Sequence, residues 1–479
     1  MRRFLIPFVL ILILVLGFGA RLYRFNGPIA DWHSWRQADT SAVSRNFVKS
    51  GFDILHPRFD DLSNVPSGLD NPQGYRFVEF PFYNVAQAGL FKFIGIFSLE
   101  EWGRLVTIFS SLSSAVFIFL ILKKHQNALA GIIGAFFFAL LPFSVYYGRV
   151  ILPDPSTAAA ALAGIYFFDL WIDNTKRFLP FILALLFTAI ALLLKPFAGF
   201  FMLPMIYLAF EKFGKKTFVN PILWIFAIVS IVPFILWRLW MSHYPEGIPV
   251  SDWLFNGGNI RFKGAYFYWV FGERIGKLIT GYWGASLLVL GMASKFKSRK
   301  ELFFFLSFIA SALAYLVVVA RGNVQHDYYQ ILIIPTICIF LGLGGEFLIN
   351  FTKTYTNKFI GPILFLVVTL FTLFFGWYYV RDYFNINNPS IIAAGQAVDR
   401  LTPKDAKVIA NYNGDTSFLY QTNRRGWASY EKDLPGMVKL GADYLVIANP
   451  VPSDFVFAKD YKIVSQSPQY VIFDLRNNP

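Results

Sequence analysis

Residues 104–124 read RLVTIFSSLSSAVFIFLILKK. An apolar run begins directly after Arg104 and ends directly before Lys123 and Lys124. The run is close to the length of about 20 residues with which a helix crosses a lipid bilayer. Similar apolar runs occur at about 4–20, 128–147, 156–172, 178–194, 197–210, 218–237, 278–293, 302–320, 328–348 and 358–378. The sequence therefore predicts a polytopic α-helical membrane protein with about eleven transmembrane helices.

The composition points the same way. Hydrophobic residues make up 56% of the 479 positions and charged residues 15%, whereas ordinary soluble domains carry about 25% charged residues. The formal net charge is +14, but the Lys and Arg residues lie in short clusters between apolar runs rather than in one basic domain. We therefore expect no nucleic-acid partner, and we interpret the clusters as signals that orient the helices.

The basic clusters lie at alternate junctions of the eleven runs, as expected of cytoplasmic loops. They are Arg2 and Arg3; Lys123 and Lys124; Lys176 and Arg177; Lys212, Lys215 and Lys216; Lys295, Lys297, Arg299 and Lys300; Lys353 and Lys358. This pattern predicts a multi-pass protein of a bacterial-type inner (plasma) membrane with a cytoplasmic N-terminus. No small-residue cleavage site is evident before Arg21, so the first helix is expected to stay uncleaved. The outward-facing segments are then 21–103, 148–155, 238–277, 321–327 and the tail from about 379.

Two domains are predicted from the change in character near residue 379. Residues 1–378 would form the transmembrane domain, whose first outer loop (21–103) contains interfacial helices at Ser34–Ser50 and Glu79–Phe97. Residues 379–479 would form a small extracytoplasmic α/β domain. Its expected strands lie at 407–410, 444–447 and 470–473, and its expected helices at about 389–401 and 431–440.

Acidic and basic side chains concentrate in the predicted outer segments, beginning with DWHSWRQADT at 31–40. Transfer of a sugar from a lipid phosphate to a hydroxyl requires a carboxylate to accept the proton and cations to stabilise the departing phosphate. The candidate carboxylates are Asp31, Asp39 and Asp154. The candidate phosphate-binding groups are Arg149, Lys195, Arg321 and His326.

Four segments carry a resemblance to a known family: Trp35–Thr40, Glu79–Pro81, Arg149–Asp154 and His326–Tyr329. Together they resemble the GT-C glycosyltransferases, specifically bacterial members of the protein O-mannosyltransferase and aminoarabinose transferase group, over residues 1 to about 350. The resemblance implies a polyprenyl-phosphate sugar donor, a lipid, glycan or protein hydroxyl as acceptor, and inverting transfer with a carboxylate general base in the first outer loop. Residues expected to contact substrate are His33, Trp35, Arg36, Gln37, Glu79, Tyr328 and Tyr329.

The sequence departs from this family in two places. Many relatives carry an Asp-Glu pair after the first helix, whereas here Asp31 is followed by Trp32 and Asp39 by Thr40. The base is therefore either Asp31, which is nearer the end of the first helix, or Asp39. Relatives also often have a lysine where this chain has Phe80, so the phosphate-binding role of that lysine would pass to another cation, for which Lys195 is a candidate.

Several of these residues also have structural explanations. Asp31 or Asp39 could cap the helix that begins near Ser34, and Asp154 could be a turn residue between two prolines. Arg149 and Arg321 could be interfacial cations. With five histidines and one cysteine in the chain, no metal site and no cofactor are predicted, although the sequence leaves dependence on a divalent metal open.

Two other function classes fit parts of this pattern. A lipid-linked glycan polymerase or ligase also uses outward-facing Arg and His, and it would lengthen its product by a block rather than by one sugar. A transporter or flippase usually has internal repeats and polar residues near the middle of the membrane. The ionisable residues here lie largely at the ends of the apolar runs, which favours the transferase.

Overall fold

The structure is a computed structural model that describes residues 2–355 and 357–476. The side chains of Arg2, Arg3 and Lys353, which belong to the predicted charge pattern, lie outside the described side chains.

Helices dominate the described part of the chain. The α-helices are, in chain order, α1 (Arg2–Arg21), α2 (Ser34–Ser50), α3 (Phe82–Ile94), α4 (Leu99–His125), α5 (Ala128–Leu140), α6 (Pro142–Tyr147), α7 (Asp154–Asp173), α8 (Phe178–Leu194), α9 (Leu203–Phe213), α10 (Pro221–Met241), α11 (Trp253–Asn256), α12 (Gly264–Phe267), α13 (Gly284–Met292), α14 (Arg299–Val318), α15 (Ala320–Gln325), α16 (Ile334–Tyr355), α17 (Ile360–Val380), α18 (Pro389–Leu401), α19 (Ser417–Gln421) and α20 (Leu434–Lys439). Short 3₁₀ helices lie at Pro196–Met202, Gly214–Val219, Pro245–Gly247, Gly257–Phe262, Asp327–Leu332, Arg381–Phe384 and Pro452–Lys459, and a π-helix at Tyr268–Ile279.

The chain divides into two compact units. The first, here called the helical unit, contains Met1–Phe25, Thr107–Trp237 and Ser251–Asp382. The second, here called the loop–sheet unit, contains Asn26–Val106, Arg238–Val250 and Tyr383–Pro479. These units divide the chain differently from the predicted domains 1–378 and 379–479, because the first outer loop folds together with the C-terminal segment. The two-domain division itself stays a prediction.

Seven helical segments are long and apolar enough to cross a membrane. They are Leu99–His125, Asp154–Asp173, Pro196–Val219, Pro221–Met241, Arg299–Val318, Ile334–Phe351 and Ile360–Leu401. A bent pair, Gly264–Ile279 with Gly284–Met292, and three shorter apolar helices, Leu5–Arg21, Ala128–Leu140 and Phe178–Leu194, account for the other predicted runs. The prediction of a polytopic helical membrane protein is therefore confirmed.

Some apolar runs that we predicted as single helices are broken. The run 128–147 forms α5 and α6, which meet at Leu141 because Pro142 has no N–H group with which to continue α5. The run 278–293 is interrupted between the π-helix and α13, where Gly281 and Tyr282 have φ values of 53° and 60° and the helix axes bend by 114°.

A buried arginine stabilises the break between α5 and α6. Arg21, at the end of α1, is fully buried and donates to the main-chain oxygens of Ala139 at 2.6 Å and Ser144 at 3.2 Å. It also donates to the Phe138 oxygen at 3.4 Å, which has lost its helical partner because Pro142 has no N–H group. The guanidinium thus supplies hydrogen bonds that the break removes from the backbone.

The C-terminal sheet has five strands: β1 (Lys407–Ile409), β2 (Arg425–Trp427), β3 (Tyr444–Ala448), β4 (Lys462–Ser467) and β5 (Tyr470–Asp474). Their order is β2-β1-β3-β5-β4, with β1 parallel to β2 and β3, and β5 antiparallel to β3 and β4. The predicted strands became β1, β3 and β5, and the predicted helices became α18 and α20. The small α/β domain is therefore confirmed, with two strands that the sequence did not indicate.

The two faces of the sheet bury alternate residues, as a pleated strand requires. Val408 and Ile472 pack with α18 and α19 on one face. Ile409 and Phe473 pack with α20 on the other. The sheet is therefore the middle layer of the loop–sheet unit.

The first outer loop extends this sheet beyond β2. The N–H of Leu62 donates to the Gly426 oxygen at 2.7 Å, and the N–H of Gly426 donates to the Asp60 oxygen at 3.0 Å. Asp61 is buried between these bonds and accepts hydrogen bonds from the backbone N–H groups of Ser63 and Ala428. Burial raises the pKa of Asp61 to about 6, although these hydrogen bonds partly oppose it.

The helices expected in this loop are present, but α2 does not lie as a surface helix. Most of α2 is buried, including polar residues such as Ser41 and Ser44. The second helix is α3, which starts three residues later and ends three residues earlier than expected.

We expect Arg21→Met to destabilise the helical unit by roughly 1–3 kcal/mol, because the buried Ala139 oxygen loses its donor. The measurement is the midpoint of thermal aggregation of the detergent-solubilised protein. Arg24→Met is the matched control, since Arg24 is three residues away and exposed. Equal midpoints for the two variants would contradict the role of Arg21.

The raised pKa of Asp61 predicts a pH dependence of stability. The pKa of Asp61 is higher in the folded protein than in the unfolded chain. The contribution of Asp61 to the free energy of unfolding is therefore fully present below about pH 4. It is lost, by roughly 2–3 kcal/mol, as the pH rises through about 6. Hydrogen-exchange protection of the β2 amides, corrected for intrinsic rates, should fall from pH 5 to pH 7 in the wild type. The fall should be smaller in Asp61→Asn, whereas the exposed control Asp405→Asn should behave as wild type. A wild-type profile in Asp61→Asn would show that Asp61 is not the titrating group.

Candidate active site

Asp154 and Lys195 form a buried ion pair in the helical unit. Asp154 is the first residue of α7, where a carboxylate is favoured by the helix dipole. Lys195 follows the last residue of α8 and has extended dihedral angles, since it precedes Pro196. Alanines 158–161 and Gly164 let α7 pack closely on α8, with Gly164 directly opposite Thr188. The close packing of this helical hairpin places the two charged groups side by side.

Only one of the two carboxylate oxygens of Asp154 has a hydrogen-bond partner among the described residues. One Asp154 oxygen accepts from Lys195, while Oδ2 is buried and has no hydrogen-bond partner among the described residues. Lys195 Nζ lies 5.1 Å from the ring centre of Tyr329 and 5.7 Å from that of Tyr328. Aromatic faces stabilise a cation at such distances. Lys195, Tyr328 and Tyr329, which the sequence singled out separately, thus form one group.

A second carboxylate lies on the same segment as the tyrosines. Asp327 is buried and accepts a hydrogen bond of 2.5 Å from the hydroxyl of Tyr147. His326 stacks on Tyr328, with ring centres 5.6 Å apart, and contacts the edge of Trp253. From the sequence, Asp327 was considered only as a neighbour of His326, and Tyr147 was not a candidate. Nothing in the sequence around Tyr147 indicates that its hydroxyl bonds to Asp327.

The two arginine candidates have different surroundings in the helical unit. Arg149 is almost completely buried, donates to the Arg24 main-chain oxygen at 3.4 Å and lies over the ring of Tyr146. So deeply buried a guanidinium does not reach out to water as a snorkelling interfacial cation would. Arg321 is half-buried and packs against Gly257, where a Cβ atom would lie 2.8 Å from Arg321 Cδ.

In the loop–sheet unit, Asp31 is held by hydrogen bonds on each side. Its Oδ1 accepts from Gln37 Nε2 at 2.7 Å, and its main-chain oxygen accepts from Asn387 Nδ2 at 3.0 Å. Trp32 stacks on Tyr383 with ring centres 4.9 Å apart. Asp31 is therefore fixed by both the first loop and the C-terminal segment.

Asp39 has both carboxylate oxygens in hydrogen bonds. Oδ2 accepts from Arg76 at 2.6 Å, and Oδ1 accepts from the hydroxyl of Thr416 at 2.7 Å. Thr416 also donates to the Trp35 main-chain oxygen. Asp39 does not cap α2, since it lies inside that helix; the N-cap position is His33, whose own side chain makes no cap hydrogen bond.

The other first-loop candidates lie around these aspartates. Arg36 forms a 2.5 Å ion pair with Glu79, and both side chains are largely buried. His33 has a left-handed backbone conformation, with φ of 54°, and starts α2. These residues support the position of α2 whether or not they contact substrate.

Asp415 is a nearby carboxylate that the sequence did not single out. Its Oδ1 accepts from the N–H of Ser417 at 2.8 Å. Burial and, to a smaller extent, the charge of Asp39 raise the pKa of Asp415, with hydrogen bonds to Ser417 and the charge of His33 opposing them. No local signal could have predicted this, since Asp39 and Asp415 are brought together by the fold.

Within the described residues, no group of three or more His, Cys, Asp and Glu side chains is arranged to hold a metal ion. The prediction that no cofactor is needed stays a prediction.

Comparisons with known proteins agree with this architecture. Residues 81–240, about a third of the chain, match the family model of dolichyl-phosphate-mannose-protein mannosyltransferases. No curated protein has significant sequence similarity to the chain.

Solved structures resemble nearly the whole chain. ArnT from Cupriavidus metallidurans, bound to undecaprenyl phosphate, has a TM-score of 0.64 at 14% identity and covers 97% of each chain. An oligosaccharyltransferase from Archaeoglobus fulgidus with zinc and sulfate has a TM-score of 0.61 at 11% identity, over 93% of this chain and 69% of that one. AglB from the same organism, with an inhibitory peptide and a dolichol-phosphate, has a TM-score of 0.59 at 10% identity, over 98% and 74%.

At these identities the structural likeness establishes the fold. Together with the family match over 81–240, it confirms the resemblance inferred from the sequence: the chain has the GT-C fold and is similar to glycosyltransferases of the protein mannosyltransferase and ArnT type.

Proposed function

We propose that this protein is a membrane glycosyltransferase that moves one sugar from a polyprenyl-phosphate donor to an acceptor hydroxyl, with inversion at the anomeric carbon. The observation that carries the proposal is the buried Asp154–Lys195 pair beside Tyr328 and Tyr329. A buried cation within an apolar helical unit suits the phosphate of a lipid whose tail stays in the membrane. The likeness to structures that contain undecaprenyl phosphate and dolichol-phosphate supports this donor class.

The phosphate is assigned to the cations of the helical unit. Lysine has three N–H donors, and Asp154 accepts from Lys195, so the remaining donors suit a phosphate oxygen. When the bond between the anomeric carbon and the phosphate oxygen breaks, the polyprenyl phosphate gains one negative charge. Positive charge held in a site of low dielectric stabilises that change. Arg149, Arg321 and His326 remain further candidates for this role.

Proton acceptance is assigned to Asp31, with Asp39 as the alternative. The acceptor oxygen attacks the anomeric carbon as its proton passes to a carboxylate, and attack opposite the leaving group inverts that carbon. Both carboxylate oxygens of Asp39 already accept hydrogen bonds, from Arg76 and Thr416, so an acceptor hydroxyl would have to compete with these donors for Asp39. This favours Asp31 as the base and gives Asp39 a positioning role.

The location follows from the charge pattern. We propose a bacterial-type inner membrane, a cytoplasmic N-terminus and transfer at the outer face, because the basic clusters lie at alternate junctions of the apolar runs. The acceptor would be a lipid, a glycan or a protein.

Replacing the base tests the proposal most directly. We expect Asp31→Asn to lower the rate of transfer by about 100-fold or more, because the amide cannot accept the proton. Asp39→Asn should lower it less, by roughly tenfold. The rate is the release of polyprenyl phosphate from a radiolabelled polyprenyl-phosphate sugar in membranes, and the anomeric configuration of the product is read by NMR.

Asp70→Asn, an exposed change in the same loop, is the matched control and should behave as wild type. Wild-type rates in Asp31→Asn, Asp39→Asn and Asp154→Asn would remove the carboxylate assignment. Retention of configuration would rule out the inverting mechanism.

Donor binding provides a separate test. We expect Lys195→Met to weaken binding of polyprenyl phosphate by at least about tenfold, since one charge-assisted hydrogen bond is lost. Removing Lys195 alone leaves Asp154 buried without its partner, so the double variant Asp154→Asn/Lys195→Met separates binding from folding. Competition against a labelled donor measures the affinity.

The control is Lys176→Met, an exposed lysine in the loop before α8. If the folded double variant bound polyprenyl phosphate as tightly as the control, Lys195 would not be the phosphate ligand.

A further inference from the structure

The loop–sheet unit contains a polar pocket that none of the roles above uses. Its volume is about 140 Å³, and its lining includes Ser50, Asp53, His56, Arg58 and Arg425. Four of these residues come from the end of α2 and the segment after it. Arg425 comes from β2 of the C-terminal sheet.

Arg58 brings a positive charge that no described residue neutralises. No acceptor in the described part of the chain takes a hydrogen bond from its guanidinium, and no carboxylate there pairs with it. Its ring neighbour is Tyr75, whose centre lies 5.3 Å from the guanidinium carbon. The side chain is half-buried, so this charge is partly removed from water without a counter-ion.

Arg425 is nearly as poorly satisfied. Its guanidinium donates to the Gln73 main-chain oxygen at 2.6 Å, while its Nε is buried and has no acceptor among the described residues. Burial lowers the pKa of Arg425, Asp60 opposes this, and the charge of Arg58 lowers it further. Two guanidinium groups are therefore close enough to repel each other.

The surrounding charges do not balance this pair. Asp60 already forms an ion pair with Arg45. Asp53 accepts from His56 Nδ1 at 3.0 Å, and the other ring nitrogen of His56 is hydrogen-bonded to the Tyr244 hydroxyl at 3.0 Å. His56 is thus a fixed wall of the pocket, and the net charge facing the pocket is positive.

The fold also keeps space for Arg425. Gly74 has φ of 62°, and a Cβ atom at that position would lie 2.8 Å from Arg425 Nη2 and 2.9 Å from the Phe59 oxygen. A side chain there would displace the guanidinium from the pocket. This glycine therefore keeps the arginine in place at a cost in backbone freedom.

We propose that this pocket of the loop–sheet unit, with Arg58 and Arg425 as its two guanidinium ligands, binds the phosphate group of a phosphorylated ligand. Two guanidinium forks present several N–H donors, and a phosphate has enough oxygens to accept from both, whereas a carboxylate has two. Ser50, whose side chain carries a hydroxyl donor, also lines the pocket. The residues that line the pocket all belong to the loop–sheet unit, whereas Lys195 belongs to the helical unit, so the two proposed phosphate ligand sets share no residue.

Titration with inorganic phosphate tests the pocket itself. We expect isothermal titration of the full-length protein in a neutral detergent, at low ionic strength, to show saturable binding by the wild type. Arg58→Gln should weaken that binding by at least about tenfold, because one charge-assisted pair of hydrogen bonds is lost. Arg58 has no side-chain hydrogen bond to lose within the described residues, so this variant should fold normally.

Arg425→Lys is the second variant, since it keeps a charge and a donor for the Gln73 oxygen but loses the fork. It should also weaken phosphate binding. Arg400→Gln, an exposed change on α18 of the same unit, is the matched control and should bind as wild type. Absence of saturable binding by the wild type, or wild-type affinity in both pocket variants, would overturn the proposal.

Two further titrants identify the source of the phosphate. Tighter binding of dihexanoyl phosphatidic acid than of glycerol 3-phosphate would assign the pocket to a lipid headgroup, and equal affinities would assign it to a soluble phosphate. Acetate that binds as tightly as inorganic phosphate would contradict a phosphate-specific site. None of these measurements depends on glycosyl transfer, so their outcome is independent of the proposed enzymatic activity.

Discussion

Inside a membrane, a main-chain carbonyl that loses its helical partner has no water to bond with. The break between α5 and α6 creates such groups: Arg21 donates to the Ala139 oxygen, and Arg21 and the Ser144 hydroxyl both donate to the Phe138 oxygen. Gly148 is required for this arrangement, since a Cβ atom there would lie 2.4 Å from Arg21 Nε. The start of the segment that leads to Arg149 and Asp154 thus depends on a guanidinium contributed by the first helix.

Proline determines where the polar groups of the helical unit occur. Asp154 follows Pro153, and Lys195 precedes Pro196. A residue before proline is disfavoured in the α region, so α8 ends at Leu194 and Lys195 turns away from the helix axis. Helix ends have unpaired backbone groups and room for charged side chains. The same breaks that complicate folding in a membrane therefore provide the sites where charge can be held.

The sequence was most informative where the physical signal is local. Apolar runs indicated the long apolar helices that the structure describes, because the bilayer imposes their length, and short β-branched runs indicated β1, β3 and β5. Strand β2 was missed because Arg425–Trp427 is short and has no apolar alternation. The break at Pro142 could have been predicted from the missing N–H group alone.

Site residues were harder to assign, because their partners are distant in the chain. The grouping of Lys195 with Asp154, Tyr328 and Tyr329 needs the packing of α7 on α8, which composition indicates only through the alanines of α7. The bonds from Asp39 to Arg76 and Thr416, and the nearness of Asp415, depend on the fold of the loop–sheet unit. A single sequence therefore revealed which chemical groups are present, but not which of them already form hydrogen bonds or ion pairs within the protein.

The hydrogen bond from Ala428 to Asp61 joins residues 367 positions apart. The ribosome synthesises Asp61 long before Ala428. The early loop therefore stays incompletely ordered while almost every apolar helix is synthesised. During that interval its backbone edge near Leu62 has no strand to pair with and is open to wrong partners. The C-terminal segment thus completes a structure that the early loop begins, and truncation before β2 would leave that loop unfinished as well.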